Sequence, residues 1–223
     1  MSGEPPRFGF LGGTFDPIHL GHLRAALEVA EALDLPEIRF VPARVPPHKL
    51  GEPVTPAEHR VRMLQAAIRG ERRFRVDLRE LDRPGPSYTL DTVRSYLAEG
   101  LRPTFVMGLD SYLSIATWYE YEALLAACDH AVMTRPGYVP QPLENTVPLA
   151  AARRFWYDPA ISGYRHESGV TLRFVSVTPM EISSTQIRET VQAGRSPAFL
   201  VPRAVERYIR SQGLYRGGPA RFD

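Results

Sequence analysis

Between residues 12 and 22 the chain reads "GGTFDPIHLGH". Two glycines let a phosphate or ribose approach the backbone closely, Thr14 offers a hydroxyl donor, and Pro17 stiffens the loop ahead of a helix. His19 and His22 lie three apart in the first helical turn, so both imidazoles face one side. Gly21, between them, removes a side chain that would block an incoming group. Three-residue spacing without a third ligand nearby does not describe a structural zinc site. The pattern instead suits an anion held at a helix N-terminus. A second stretch, "ISSTQIR" at 182–188, opens a helix with Ser183, Ser184 and Thr185 and places Arg188 one turn on, beside Ser184. Hydroxyls, helix N-terminus and guanidinium can converge there on a triphosphate.

These groups need elements to position them. The apolar run "RFGFL" reads as a strand, followed by a helix over 20–33 with Leu20, Leu23, Leu27, Ala30 and Leu33 as its stripe. "EIRFVPA" is a second strand. "TPAEHRVRMLQAAIRG" is a helix with Thr55 as N-cap, Pro56 at its first position and Glu58 closing a capping box. "RFRVDLREL" reads as a third strand, and after "DRPGPS" comes a helix over 89–98. The strand "TFVMG", a helix in "EYEALLAAC" and the strand "HAVMTR" follow. Residues 136–168 are irregular and carry no assigned function. "VTLRFVSV" is a strand, and two helices, stopped by Gly194 and Gly213, close the chain. Strand and helix alternate, which predicts an α/β fold: a Rossmann-like doubly wound parallel sheet with helices on both faces. In such sheets ligands bind beyond the carboxyl ends of the strands. "GLD" at 108–110 lies at one such end, where the Asp110 carboxylate can accept from ribose hydroxyls.

With 223 residues and no dividing linker, the chain reads as one domain over 1–223, with a helical C-terminal part over about 183–215 and a frayed tail at 216–223. Lys and Arg number 27 against 25 Asp and Glu, and no basic run with interleaved aromatics appears, so a nucleic-acid partner is not expected. Cys128 is the single cysteine, which excludes an internal disulfide. Neither a signal-peptide pattern nor an apolar run of roughly 20 residues is present, so the expected location is cytoplasmic, with no membrane partner.

Further segments appear in order along the chain: "PPHK" at 46–49, "PSYTLDT" at 86–92, "TWYEYE" at 117–122, "RPGY" at 135–138 and "QGLYR" at 212–216. Together with "GGTFDPIHLGH" and "ISSTQIR" they resemble the nucleotidyltransferase superfamily with the His-x-Gly-His signature, and within it the bacterial nicotinate-nucleotide adenylyltransferases. The resemblance covers nearly the whole chain and is weakest over 139–170. It implies transfer of AMP from ATP to nicotinate mononucleotide, giving nicotinate adenine dinucleotide and pyrophosphate. It assigns His19 and His22 to catalysis. Gly12, Gly13, Thr14, Phe15, Gly108, Asp110, Arg135, Ser183, Ser184, Thr185 and Arg188 fall to ATP, with Mg2+ carried mainly on its phosphates. His48, Lys49, Tyr88, Thr89, Trp118 and Tyr119 fall to the acceptor, with Trp118 stacking on the nicotinate ring and backbone N–H groups at 89 and 119 receiving its carboxylate. No metal-ligating residue and no oligomeric state is implied. Nicotinamide mononucleotide and phosphopantetheine are the alternative acceptors, although phosphopantetheine enzymes are typically shorter and lack the "PSYT" and "TWYEYE" pair. A catalytically dead nucleotide-binding module is disfavoured by the full set of basic groups. An NAD-binding oxidoreductase is disfavoured because the loop lacks G-x-G-x-x-G and no acidic residue ends "RFVPA".

Overall fold

The computed structural model describes residues 5–45 and 54–216. The run "FGFL" lies at the centre of β1 (Arg7–Gly13), and its four residues are all buried. A run of this kind needs cover on both faces, and it receives both. Phe8 and Phe10 point into one core with Tyr96, Phe105 and Val132, while Leu11 points into another with Val29, Val106 and Ile187. Rings reinforce the first core: Phe10 stacks on Phe105 at 5.0 Å, and Phe8 meets Tyr96 edge-on at 4.8 Å.

The eight-stranded sheet has the order β3-β2-β1-β4-β5-β8-β7-β6. Its members are β1, β2 (Ile38–Pro42), β3 (Phe74–Val76), β4 (Arg102–Gly108), β5 (Asp129–Thr134), β6 (Phe155–Asp158), β7 (Gly163–His166) and β8 (Thr171–Ser176). The pairs from β3 through to β8 are parallel, whereas β6–β7 and β7–β8 are antiparallel. The region 136–168, irregular by sequence, therefore holds this hairpin, preceded by the short helix α7 (Leu149–Ala152). The sheet is mixed at that edge. Strand order reverses between β1 and β4, and the crevice beyond their carboxyl ends is the natural ligand position.

Helix α1 (Leu20–Ala32) buries Ala26, Val29 and Ala30. Leu23 and Leu27 are only partly buried, so the inward face centres nearer the small residues than the leucine stripe. Helix α2 (Ala57–Ala67) departs from its expected start: Pro56 is the N-cap and no side chain caps it. The Thr55 backbone is engaged elsewhere, its N–H donating to Asp16 Oδ2 and its carbonyl accepting from Arg60 Nε. The third strand is also shorter than "RFRVDLREL" suggests. Asp77 accepts from the Arg79 N–H, and that turn starts the short helix α3 (Arg79–Asp82). Next come α4 (Thr89–Ala98), α5 (Leu109–Leu113) and α6 (Tyr121–Ala127), followed after the hairpin by α8 (Ser184–Gln192) and α9 (Arg203–Ser211). Gly194 and Gly213 end the last two with φ of 73° and 63°. Among the described residues no helix is long and apolar enough to cross a membrane.

Gly9 packs more tightly than any ordinary side chain allows. A Cβ there would lie 2.5 Å from Ile38 Cδ1 and 3.1 Å from Leu35 Cδ1. Gly9→Ala is therefore expected to destabilise the fold by about 1–3 kcal/mol through overpacking, read as a lower midpoint in urea or thermal unfolding.

Candidate active site

The loop leaving β1 is shaped by donors that grip its carbonyls. Arg60, 2% exposed, donates from Nη1 to the Thr14 carbonyl at 2.8 Å. Arg188 donates from Nη1 to the Asp16 carbonyl at 2.8 Å, and the Ser184 hydroxyl donates to the Pro17 carbonyl at 2.9 Å. Asp16, itself buried, accepts from the Tyr215 hydroxyl at 2.6 Å and from the Thr55 N–H at 3.1 Å. Buried carbonyls need donors, and the helices carrying residues 60 and 184–188 supply them, while Tyr215 and Thr55 satisfy the Asp16 carboxylate. Phe15 adopts φ 50° and packs its ring where a Cβ on Gly13 would lie, 3.0 Å away. A Cβ on Gly12 would meet nothing within 4 Å, so the backbone there lies open to a ligand.

The two histidines form a reciprocal cap. His19 is the N-cap of α1 and its Nδ1 accepts from the His22 N–H at 3.4 Å, while His22 Nδ1 accepts from the His19 N–H at 3.3 Å. The rings stack at 3.6 Å. With each Nδ1 used as an acceptor, the neutral ring carries its proton on Nε2, which remains a donor. Burial lowers the His19 pKa to about 4; burial and then the neighbouring His19 lower that of His22 to about 3. The pair is thus a set of uncharged N–H donors at a helix N-terminus, with no mobile cation to desolvate. Gly21 has a different role from the one its position suggests. An added Cβ would lie 3.1 Å from His19 Nδ1, so glycine makes room for the folded-back imidazole.

A cleft of about 420 Å³ adjoins the loop and is lined by Gly12, Gly13, Thr14, Tyr88, Thr89, Trp118 and Tyr119. The sequence places all seven in the site, and the fold brings them together. Tyr88 stacks on Tyr119 at 4.4 Å, while Trp118 leans on Phe105 at 6.0 Å. Helix α4 begins with Tyr88 as N-cap and no side-chain cap. The first N–H groups of a helix have no intrahelical partners, and Tyr88, Thr89 and Leu90 at this start line the cleft. Glu80, Ser87, Phe105 and Ser111 also line the cleft and escape sequence reading, since nothing marks them apart from core or turn residues. Buried Glu80 accepts from the Thr92 hydroxyl at 2.6 Å, and burial raises its pKa. The Ser87 hydroxyl accepts from the Arg44 N–H at 3.0 Å, tying the exit of β2 to the entrance of α4.

The remaining predicted residues flank this centre. Gly108 is the N-cap of α5 and Asp110 lies exposed in its first turn, at the end of β4 beside the cleft. Arg135 follows β5 and pairs with Glu181 at 3.8 Å, both highly exposed. Ser183 caps α8 by accepting from the Gln186 N–H at 3.1 Å, and the Thr185 hydroxyl accepts from Arg188 Nη2 at 3.2 Å. His48 and Lys49 lie outside the described residues. Arg60 is a site-shaping residue that the sequence reading missed. The signal was available: an arginine spaced three, four and seven residues before Met63, Leu64 and Ala67, on what is otherwise an apolar stripe.

Both imidazoles should stay neutral through the ordinary pH range. NMR titration of the substrate-free protein is expected to show no His19 or His22 transition between pH 8 and about 5. Because the unfolded rings titrate near 6.5 and the folded ones lower, the unfolded chain binds more protons in the interval, so acidification below about 6.5 should progressively reduce stability.

The cytidylyltransferase-like family model matches residues 10–190. A relative from Geobacter sulfurreducens is 42% identical over 93% of this chain and 97% of its own, and one from Pseudomonas syringae pv. tomato is 44% identical over 97% and 96%. Each is named a probable nicotinate-nucleotide adenylyltransferase. Among solved structures, the nicotinic acid mononucleotide adenylyltransferase of Plasmodium falciparum complexed with NaAD shares the fold with a TM-score of 0.65 at 18% identity, over 94% of this chain and 97% of that one. On this sequence similarity, which spans nearly the whole chain, the chain belongs to the nicotinate-nucleotide adenylyltransferase family.

Proposed function

We propose that the protein transfers AMP from ATP to nicotinate mononucleotide, releasing pyrophosphate. The observation that carries this reading is the sharing of one backbone segment, Gly12–Thr14, between a phosphate-type loop and an aromatic cleft of about 420 Å³. An acceptor seated in the cleft would bring its phosphate to that segment, where the α-phosphorus of ATP would also lie. An oxygen of the acceptor phosphate attacks that phosphorus, the bond to the bridging oxygen breaks, and pyrophosphate departs in line. No enzyme nucleophile is required, so the protein contributes positioning and charge stabilisation.

His19 and His22 would donate Nε2–H to the phosphate oxygens whose charge grows during transfer. The open N-terminus of α1 adds its dipole to the same region. Arg188 and the hydroxyls of α8 flank the triphosphate path, while Asp110 and Arg135 stand where the adenosine would extend along the ends of β4 and β5. Trp118, Tyr88 and Tyr119 offer ring faces to the nicotinate, and the uncapped start of α4 offers N–H groups to its carboxylate. A carboxylate gains more at such an end than an amide does, which favours the acid acceptor. Mg2+ would enter on the triphosphate oxygens and neutralise charge on the leaving pyrophosphate. Among the described residues no group of three or more His, Cys, Asp or Glu side chains is placed to hold a metal ion.

Pyrophosphate release from ATP, measured with nicotinate mononucleotide, its amide or phosphopantetheine as acceptor, tests the reading; turnover confined to another acceptor would refute it. His22→Ala should lower kcat roughly a hundredfold or more while the acceptor's KM changes little, as steady-state kinetics would show. Trp118→Ala should raise the KM of nicotinate mononucleotide roughly 5- to 150-fold and leave that of ATP nearly unchanged. Since Trp118 also packs against Phe105, some loss of thermal stability should accompany it, and Trp118→Phe should recover part of both.

A further inference from the structure

The motif "QGLYR" near the end of the chain has no part in the chemistry above, yet its tyrosine reaches the loop that the chemistry needs. Tyr215 donates its hydroxyl to Asp16 Oδ1 at 2.6 Å across 199 positions of sequence. Asp16 is 4% exposed and uses its other oxygen on the Thr55 N–H. The Tyr215 backbone has φ 62°, a left-handed conformation that a tyrosine adopts unfavourably and keeps only when its surroundings hold it. Its ring rests against the core that includes Met63, one turn along α2 from Arg60. Arg60 in turn holds the Thr14 carbonyl, two residues before Asp16.

We propose that Tyr215 is a positioning residue for nucleotidyl transfer: through Asp16 it fixes the loop so that the carbonyls at 14, 16 and 17 stay turned inward and the backbone facing the cleft stays open to phosphate. The proposal rests on the transferase reading of the site. Its geometric core is separate from that reading, since the Tyr215–Asp16 bond either holds the loop or does not. Tyr215→Phe keeps the ring and its packing and deletes only the hydroxyl. A buried carboxylate short of one donor would shift towards another arrangement, and displacement of about 1 Å at a reacting centre can cost on the order of a hundredfold in rate.

The test begins with wild-type pyrophosphate release, which judges the transferase reading by itself. In Tyr215→Phe, kcat should fall about tenfold or more and the KM of ATP should rise, while the acceptor's KM stays within about twofold and the melting temperature within a few degrees. Hydrogen exchange followed by mass spectrometry, independent of any activity, should show faster exchange in a peptide covering 12–19 and unchanged exchange in β4 and β5. Asp16→Asn combined with Tyr215→Phe should cost no more than the worse single variant, as expected for two groups acting as one unit. The proposal is overturned if the folded Tyr215→Phe variant keeps kcat and both KM values within twofold, or if exchange at 12–19 is unaltered. It is also overturned if both KM values and the melting temperature deteriorate together with exchange rising throughout the sheet, which is the pattern of a packing residue.

Discussion

The site depends on where the carbonyl groups of residues 14–17 go. A loop that is to present its backbone to polyphosphate cannot also turn its carbonyl oxygens towards the ligand, because two sets of negative charge would meet. Here Arg60, Arg188 and Ser184 draw three carbonyls inward, and each donor comes from a helix packed on the same face of the sheet. The cost of burying a guanidinium is offset by the hydrogen bonds it makes to the Thr14 and Thr55 carbonyls and by Asp16 nearby. The rest of that core can be understood as the scaffold that keeps these donors in place.

The paired histidines obey a related constraint. Two imidazolium rings stacked at 3.6 Å would repel strongly, so the arrangement is compatible with at most one proton beyond neutrality. Each ring fixes the other's tautomer by accepting a backbone N–H, and glycine at 21 leaves space for that geometry. In the proposed transfer, selectivity for a developing negative charge would come from orientation. Neutral donors held in place need no reorganisation as the bond order at phosphorus changes, and they bind a ground-state anion less tightly than cations would.

Much of this was legible in the residues. The alternation of apolar strands and helical stripes gave the doubly wound core, and α4, α8 and the strand of residues 102–108 lie close to their expected spans. Local signals failed where tertiary contacts outbid them. Thr55 has the identity of an N-cap, but Asp16 and Arg60 claim its backbone first. The hairpin of β6 and β7 was obscured by "AARRFWYDP", whose exposed Trp156 and Tyr157 break the apolar alternation of a half-buried strand. Residues 12–22 could be singled out as a candidate loop because glycine, proline and histidine have few reasons to occur in that order. The cleft wall at Glu80 and Ser87 could not, since its members are ordinary residue types made neighbours by the fold.

The bond between residues 16 and 215 also has a consequence for synthesis. Residue 16 is synthesised 199 residues before the phenol that anchors it, so the strands between them can pair during translation while that hydrogen bond waits for residue 215. Loop closure over such a separation is slow compared with local helix formation. A chain cut between the last strand and residue 215 would therefore carry the whole sheet and both histidines while its loop lacks this anchor.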